Sequence, residues 1–200
     1  MRRALLITVL LALAAPASMG QGRWAQTVQV VTPVAQDGAM AVLLDSLSNL
    51  GARGAITVRR APEATATSYR ALQNELLRDG LDITSANQVF ISYHLEASQR
   101  GFSSSIQHFY FIYRPDGYEA IDLPILQVDA GEPAVQRLLL TGGTTLEHNQ
   151  AAFEPFVEQV SFARLEESAV VSVGGRVIRD AEQGREERRR LLTTIMRFMY

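Results

Sequence analysis

The chain has 200 residues, of which 47% are hydrophobic and 20% are charged, and its formal net charge is −2. This composition supports a packed core and is unlike that of a disordered chain. All 19 basic residues are arginine, which excludes a Schiff-base lysine and a phosphate loop that depends on lysine. Because the sequence has no cysteine, disulfides, a lipid-modified cysteine and a thiol nucleophile are excluded as well.

The first 20 residues have the pattern of a secretory signal peptide. Arg2 and Arg3 precede an apolar stretch over residues 4–15, and small residues then offer cleavage after Ala17 or after Gly20. The apolar stretch is short for a membrane span, and an uncleaved N-terminal anchor is the alternative. We therefore expect the chain to be exported and its signal peptide to be removed.

Export without any cysteine fits a bacterial periplasm better than a eukaryotic extracellular space, with release to the medium as the alternative. Cleavage after Ala17 would leave 17 arginines against 21 acidic residues, a net charge of −4. A mildly acidic exported protein is a poor candidate for binding nucleic acid. No later run is apolar enough to cross a membrane. We expect residues 21–200 to form one periplasmic or secreted domain.

Strands and helices are predicted to alternate in the first half of this domain. Residues 24–34 are rich in valine and predict a first strand, and a helix follows from Asp37, as its N-cap, to Gly51. Residues 55–60 predict a second strand. A second helix is expected over residues 68–79, because its leucines recur at helical spacing and a glycine follows it.

An antiparallel meander is predicted over residues 88–128, where aromatic and β-branched residues are separated by turn residues. If the first loop is centred on Gly101, His94 lies directly opposite His108. Pro124 cannot donate a ladder hydrogen bond, so its strand should be at an edge or bulged. The expected core face of the hairpin consists of Val89, Ile91, Tyr93, Leu95, Gln107, Phe109, Phe111 and Tyr113.

On this register a candidate metal site lies on the other face of the hairpin. His94, Glu96 and His108 would share that face, and two imidazoles with a carboxylate could hold zinc with an open position for water. A third imidazole would have to come from His148. The alternative is a half-buried sheet face on which the two histidines are polar neighbours.

A glycine-rich segment is the candidate ligand loop, made of Thr141, Gly142, Gly143 and Thr144. Thr144 and Glu147 have the spacing of a capping box, which predicts a helix that continues through Phe153. An anion could then bind at the N-terminus of that helix. The alternative is an ordinary turn between two helices.

The C-terminal part predicts a hairpin followed by a long helix. Gly174 and Gly175 can adopt the positive dihedral angles of a tight turn, and Asp180 can cap the helix that follows. This helix is charged over residues 182–190 and apolar over residues 191–200. Its apolar half should either pack internally or contact a partner, and internal packing is favoured because few other helices are available to cover the sheet.

The predicted fold is α+β: strand, helix, strand, helix, then an antiparallel meander, with the helices packed on a mixed sheet and a C-terminal helix. This order is similar in outline to small envelope domains that serve as accessory or assembly subunits. The similarity is one of topology alone, and from it we expect a non-catalytic binding or assembly protein without a cofactor. Its partner would be another envelope protein or a small ligand.

The alternative function is that of a small periplasmic hydrolase. It would depend on zinc through His94, Glu96 and His108, or use a serine nucleophile near His108. The serines near the hairpin tip are Ser103, Ser104 and Ser105. No Gly-x-Ser-x-Gly nucleophile elbow is present in the sequence to support the second route.

Overall fold

A computed structural model of the chain describes residues 24–98, 101–115, 121–146, 149–165 and 167–199. The predicted signal peptide, Glu147 and His148 lie outside these residues. In the described part, the chain forms a six-stranded sheet, a separate two-stranded hairpin and five α-helices, so the predicted α+β class is confirmed.

The strands are β1 (Trp24–Pro33), β2 (Gln88–Ser98), β3 (Gly101–Tyr113), β4 (Leu123–Asp129), β5 (Gly143–Leu146), β6 (Asn149–Pro155), β7 (Ala169–Val173) and β8 (Arg176–Val177). The large sheet has the order β4-β3-β2-β1-β7-β8, and every one of its ladders is antiparallel. The helices are α1 (Ala39–Ala52), α2 (Tyr69–Arg78), α3 (Pro133–Thr141), α4 (Phe156–Gln159) and α5 (Ala181–Met199). The meander β2-β3-β4 was predicted and is confirmed.

Local signals place several of these elements where the sequence predicts them. The Ser68 hydroxyl accepts a hydrogen bond from a backbone amide of the first turn of α2 at 3.3 Å. The backbone amide of Gln183 donates to the Asp180 carboxylate at 2.7 Å, which caps α5. Gly174 and Gly175 have φ values of 55° and 85°, so they form the turn between β7 and β8 that was expected.

The second predicted strand and the start of the first predicted helix differ in the structure. The second strand, over residues 55–60, is reduced to two isolated bridges, one of which pairs Arg59 with Gln127 at the edge of β4. At the next residue the contact with β4 is made by a side chain: Nε of Arg60 donates to the Pro124 carbonyl oxygen at 3.3 Å. The first helix begins after Gly38 rather than Asp37, and no side chain caps it.

The helix predicted from Thr144 was wrong, because this segment forms the β5–β6 hairpin. Gly143 lies opposite Pro155, and a Cβ atom on Gly143 would overlap the Glu154 carbonyl oxygen. The missing side chain therefore permits a backbone approach that stabilises the hairpin. The capping pattern is a local signal, and this tertiary pairing overrides it.

One face of the large sheet packs against all five helices and forms the core. The predicted core face of the β2–β3 hairpin is confirmed, except that Gln107 and Tyr113 stay partly exposed. The fully buried sheet residues include Val28, Val30, Val89, Ile91, Tyr93, Leu95, Phe109 and Phe111. Their helical partners include Leu43, Leu47, Leu72, Leu76, Val135, Leu139, Leu191 and Ile195. Burial of one such side chain stabilises the fold by about 1.5–3 kcal/mol.

The C-terminal helix packs internally, as favoured from the sequence. Leu191 and Ile195 are only 6% and 5% exposed and belong to the core, whereas Met196 is 58% exposed. At its start, α5 lies close to β7, because a Cβ atom on Gly184 would come within 2.5 Å of the Val170 carbonyl oxygen. In the described part of the chain, none of the helices combines the length and apolar character needed to cross a membrane.

Both edges of the sheet offer little backbone to another strand. At one edge, β4 exchanges two hydrogen bonds with Arg59, of 2.7 and 3.0 Å, through the backbone of Gln127. Pro124 lies in this edge strand, as predicted, next to an irregularity in the pairing with β3. At the other edge, β8 is only two residues long. These are features that limit pairing with other chains.

Candidate functional site

The sheet face opposite the core, here called the outer face, carries both histidines of the predicted metal site. The expected direct pairing of His94 with His108 was wrong: His108 lies opposite Ser92, and His94 lies opposite Ser105. The hairpin is not centred on Gly101, because its ladder closes with Ser98 opposite Gly101. A β-bulge next to Ser92 also leaves Gln107 unpaired with β2 and changes the register by one residue. An extra residue in one strand has no clear sequence signal.

The outer face still brings His94 and Glu96 into contact, with 3.2 Å between Nε2 of the imidazole and the nearest carboxylate oxygen. His108 is displaced from His94 along the ladder. Among the residues that the structure describes, no three His, Asp or Glu side chains gather closely enough to hold a metal ion. His148, the possible third imidazole, lies outside the described residues. The zinc site therefore stays a prediction from the sequence.

A polar row crosses the outer face on the strands of the meander and β1. Gln29, Ser92, His108 and Asp129 are successive Cα partners on β1, β2, β3 and β4. Gln29 Nε2 donates to the Ser92 hydroxyl at 3.4 Å. The Asp129 carboxylate instead accepts from the backbone amide of Gly131 at 2.7 Å. The row places a serine beside a histidine.

An aromatic pair lies in the next row of the outer face. Phe90 and Tyr110 are Cα partners, and their ring centroids are 5.9 Å apart in a stacked arrangement. Burial raises the pKa of the Tyr110 phenol, and the negative charge of Asp122 acts in the same direction. The pair is therefore partly withdrawn from water.

The serines near the hairpin tip do not approach His108 in the register of the ladder. Ser105 pairs with His94, Ser103 pairs with Glu96, and Ser104 pairs with Leu95 on the core side. Ser104 and Ser105 instead line a small recess of about 260 Å³ between β3, α3 and α4. The same recess is bordered by the apolar side chains of Ile106, Leu139, Leu140 and Val157.

The glycine and threonine residues of the predicted ligand loop are explained by local packing and hydrogen bonds. Helix α3 ends at Thr141, and Gly142 cannot carry a side chain without approaching Leu138 to within 2.7 Å. The Thr141 hydroxyl donates to the Arg137 carbonyl oxygen, and the Thr144 hydroxyl donates to Gln159. No helix begins at this loop, so the basis of the expected anion site was wrong, and a ligand role for the loop stays a prediction.

A larger concave surface lies between the β7–β8 hairpin and the first half of α5. One recess of about 650 Å³ adjoins another of about 440 Å³, and the two share Arg176, Glu187 and Arg190. We call this surface the arginine groove. The first recess is also lined by Ile178, Gln183, Glu186, Arg189 and Thr193, and the second by Trp24, Gln26, Val173, Leu191 and Thr194.

Glu187 joins the two sides of the arginine groove. Its side chain is only 17% exposed, and its carboxylate lies 3.4 Å from a guanidinium nitrogen of Arg176 and 3.8 Å from one of Arg190. The two guanidinium side chains are 67% and 76% exposed. Charge-assisted N–H···O bonds usually measure about 2.7–2.9 Å, so these long contacts leave most of the guanidinium donors for other acceptors.

Local structure explains why these groups converge. Glu187 and Arg190 are one helical turn apart and therefore lie on the same side of α5. The close approach at Gly184 brings this side of the helix next to the hairpin that carries Arg176. The sequence identified residues 182–190 only as the charged half of this helix. It could not place Arg176 against that helix, because this requires the tertiary packing.

No model of a known protein family matches the chain, and no curated protein sequence matches it. The arginine groove has guanidinium groups that can hold an anion, a half-buried carboxylate that holds two of them in place, and an apolar border. Such an arrangement is suited to binding.

Proposed function

We propose that the protein is an exported, periplasmic binding or assembly protein of the cell envelope, and that it binds through the arginine groove without catalysis. The observation that supports this proposal is the convergence of Arg176 and Arg190 on Glu187 from a hairpin and a helix. Concave surfaces with a few converging polar groups are the usual sites of ligand binding. The proposed partner is another envelope protein or a small ligand.

The other surfaces considered from the sequence are less suited to this role. The β8 edge is two residues long, and the β4 edge is interrupted at Gln127 by its pairing with Arg59, which limits strand addition at both edges. The apolar residues Leu191 and Ile195 of the terminal helix are used in the core. The groove beside the short edge strand combines concavity, charge and exposed donors.

Export is tested by the N-terminus of the protein recovered from the periplasm. We expect the mature chain to begin near Ser18 or Gln21, because small residues end the signal pattern there. N-terminal sequencing or intact mass of the periplasmic fraction measures this directly. A periplasmic protein that retains Met1 would contradict cleavage.

Binding through the groove is tested by site-specific photo-crosslinking in intact cells. A photoreactive residue at Thr193 lies in the arginine groove, and one at Val42 lies on the exposed side of α1 as a matched control. We expect an ultraviolet-dependent adduct at Thr193 and none at Val42, and we expect Arg176→Glu with Arg190→Glu to remove it. Equal labelling at both positions contradicts binding through the groove, and the absence of an adduct at Thr193 contradicts a protein partner there.

A small hydrolase is the second candidate, and the 3.2 Å contact between His94 and Glu96 is the observation that favours it. Zinc analysis of the purified protein separates the two candidates. Stoichiometric zinc that is lost on His94→Ala, together with ester or phosphoester hydrolysis that is lost on His108→Ala, would favour the hydrolase. A protein without stoichiometric zinc and without hydrolysis would favour binding.

A further inference from the structure

The arginine groove has a cationic part and an apolar part in the same recess. Trp24 and Val173 line the recess that also contains Arg176 and Arg190. A free inorganic anion would use only the guanidinium groups. A ligand that carries an anionic group on an apolar body would use both parts, since the ring of a tryptophan binds apolar groups.

We propose that the arginine groove binds the phosphate group of an anionic amphiphile, with the apolar part of that ligand against Trp24. This inference rests on the proposed binding function and names its ligand chemistry. A tetrahedral phosphate presents oxygens in several directions. It can therefore accept from Arg176 and Arg190 on opposite sides of the groove at the same time, and guanidinium groups are well matched to phosphate.

Charge complementarity supports an anionic ligand. Residues 176–199 contain seven arginines and four acidic residues, whereas the whole chain has a net charge of −2. The groove itself is lined by three arginines, Arg176, Arg189 and Arg190, and by two glutamates, Glu186 and Glu187. An excess of positive charge is thus concentrated in the hairpin and helix that form the groove of an acidic protein, where it attracts anions.

Glu187 acts as an internal anion in this groove. Its carboxylate lies between Arg176 and Arg190, at 3.4 and 3.8 Å, where a ligand phosphate would bind. The carboxylate keeps the two guanidinium groups together and also competes with the ligand for them. Neutralising Glu187 should therefore increase the affinity for phosphate, whereas a residue that merely builds the site would decrease affinity when changed.

The experiment uses the purified mature chain and the fluorescence of Trp24, the single tryptophan. The probe is dihexanoyl phosphatidate below its micelle concentration, with inorganic phosphate and dihexanoylglycerol as separate arms. We expect saturable binding and a blue shift of the fluorescence with the phosphatidate. Inorganic phosphate should bind more weakly without the shift, and the uncharged diacylglycerol should not bind measurably.

Variants test whether phosphatidate binds in the arginine groove. Arg176→Ala and Arg190→Ala should each weaken phosphatidate binding by about tenfold, the usual effect of one lost charge-assisted hydrogen bond. Arg185→Ala is the matched control, because it removes the same charge from an exposed position of α5 outside the groove. Glu187→Gln should strengthen binding several-fold. Melting temperatures confirm that each variant is folded.

Three results would overturn the inference: no saturable binding, an equal loss in Arg185→Ala, or weaker binding in a folded Glu187→Gln protein. These outcomes are separable from the test of the proposed function. A specific crosslink from Thr193 to a protein, without phosphatidate binding, supports an assembly role and contradicts the phosphate ligand. Phosphatidate binding through Arg176 and Arg190, without a protein crosslink, supports the lipid-like ligand and contradicts a protein partner at the groove.

Discussion

Tyr93 of β2 donates its hydroxyl hydrogen to the Val160 carbonyl oxygen, 2.6 Å away, inside the core. The Tyr93 ring also packs edge-on against Phe162, with 5.6 Å between the ring centroids. The side chain of Arg188 lies over that same Phe162 ring at 5.7 Å and donates to its carbonyl oxygen. One tyrosine thus joins the sheet to the segment between α4 and β7, against which α5 packs.

Tyr93→Phe should lower the free energy of unfolding by about 1–2 kcal/mol, because the buried Val160 carbonyl loses its donor. Urea unfolding at neutral pH measures the change. Tyr113→Phe is a suitable control, since that tyrosine is only partly buried. Equal stability of the Tyr93→Phe protein and the wild type would contradict a stabilising role for this bond.

The stability should also fall at alkaline pH. Burial raises the pKa of Tyr93 above its ordinary value, although the nearby Arg188 acts in the opposite direction, and burial raises the pKa of Tyr110 as well. The folded protein therefore holds these protons more tightly than the unfolded chain. Their contribution is complete below a pH of about 10 and is lost as the pH rises further. Tyr93→Phe should show a smaller loss between pH 8 and the alkaline range.

Ile195→Ala should destabilise the fold by about 2–5 kcal/mol, because it leaves a cavity between α5 and the core. Met196→Ala is the matched control on the next residue, and its exposed side chain predicts a change within about 0.5 kcal/mol. Thermal unfolding of the two variants tests internal packing of the terminal helix. Similar effects of the two substitutions would indicate that this helix is not docked as described.

Gly184→Ala tests the approach of α5 to β7. Helix propensity alone predicts that alanine stabilises this position by about 1 kcal/mol. The contact with the Val170 carbonyl oxygen predicts the opposite, a loss of about 1–3 kcal/mol from overpacking. We expect the loss, measured by urea unfolding, while Gln183→Ala at the exposed neighbouring position leaves stability nearly unchanged. A more stable Gly184→Ala protein would contradict the close packing.

Gly143→Ala should disrupt the β5–β6 hairpin, because the added Cβ atom meets the backbone of Glu154. The expected loss is about 1–3 kcal/mol, as for other overpacked sites. Thr144→Ala is the control, since it removes only the hydroxyl bond to Gln159. Urea unfolding and amide exchange of the hairpin distinguish the two variants. A Gly143→Ala protein with unchanged stability and exchange would contradict the close backbone approach at this glycine.

Features that depend on near neighbours in the chain were predictable. The alternation of Val89, Ile91 and Tyr93 determined the core face of β2, because successive side chains of a strand point to opposite faces. The cap at Asp180 was evident from local hydrogen-bonding preferences. The missing amide hydrogen of Pro124 likewise determined its position at an edge, since proline cannot pair in the middle of a sheet.

Only the tertiary structure decided the register and the groove. The hairpin ladder closes with Ser98 opposite Gly101 instead of being centred on Gly101, and the extra residue Gln107 changes the pairing of β3 by one residue. Together these features place Ser92 rather than His94 opposite His108. Arg176 meets Glu187 because α5 packs on β7, and their separation in the sequence reveals nothing of this contact. Local patterns report the preferences of single segments. The register of two strands and the contact of a helix with a hairpin depend instead on how all the apolar surfaces are buried together.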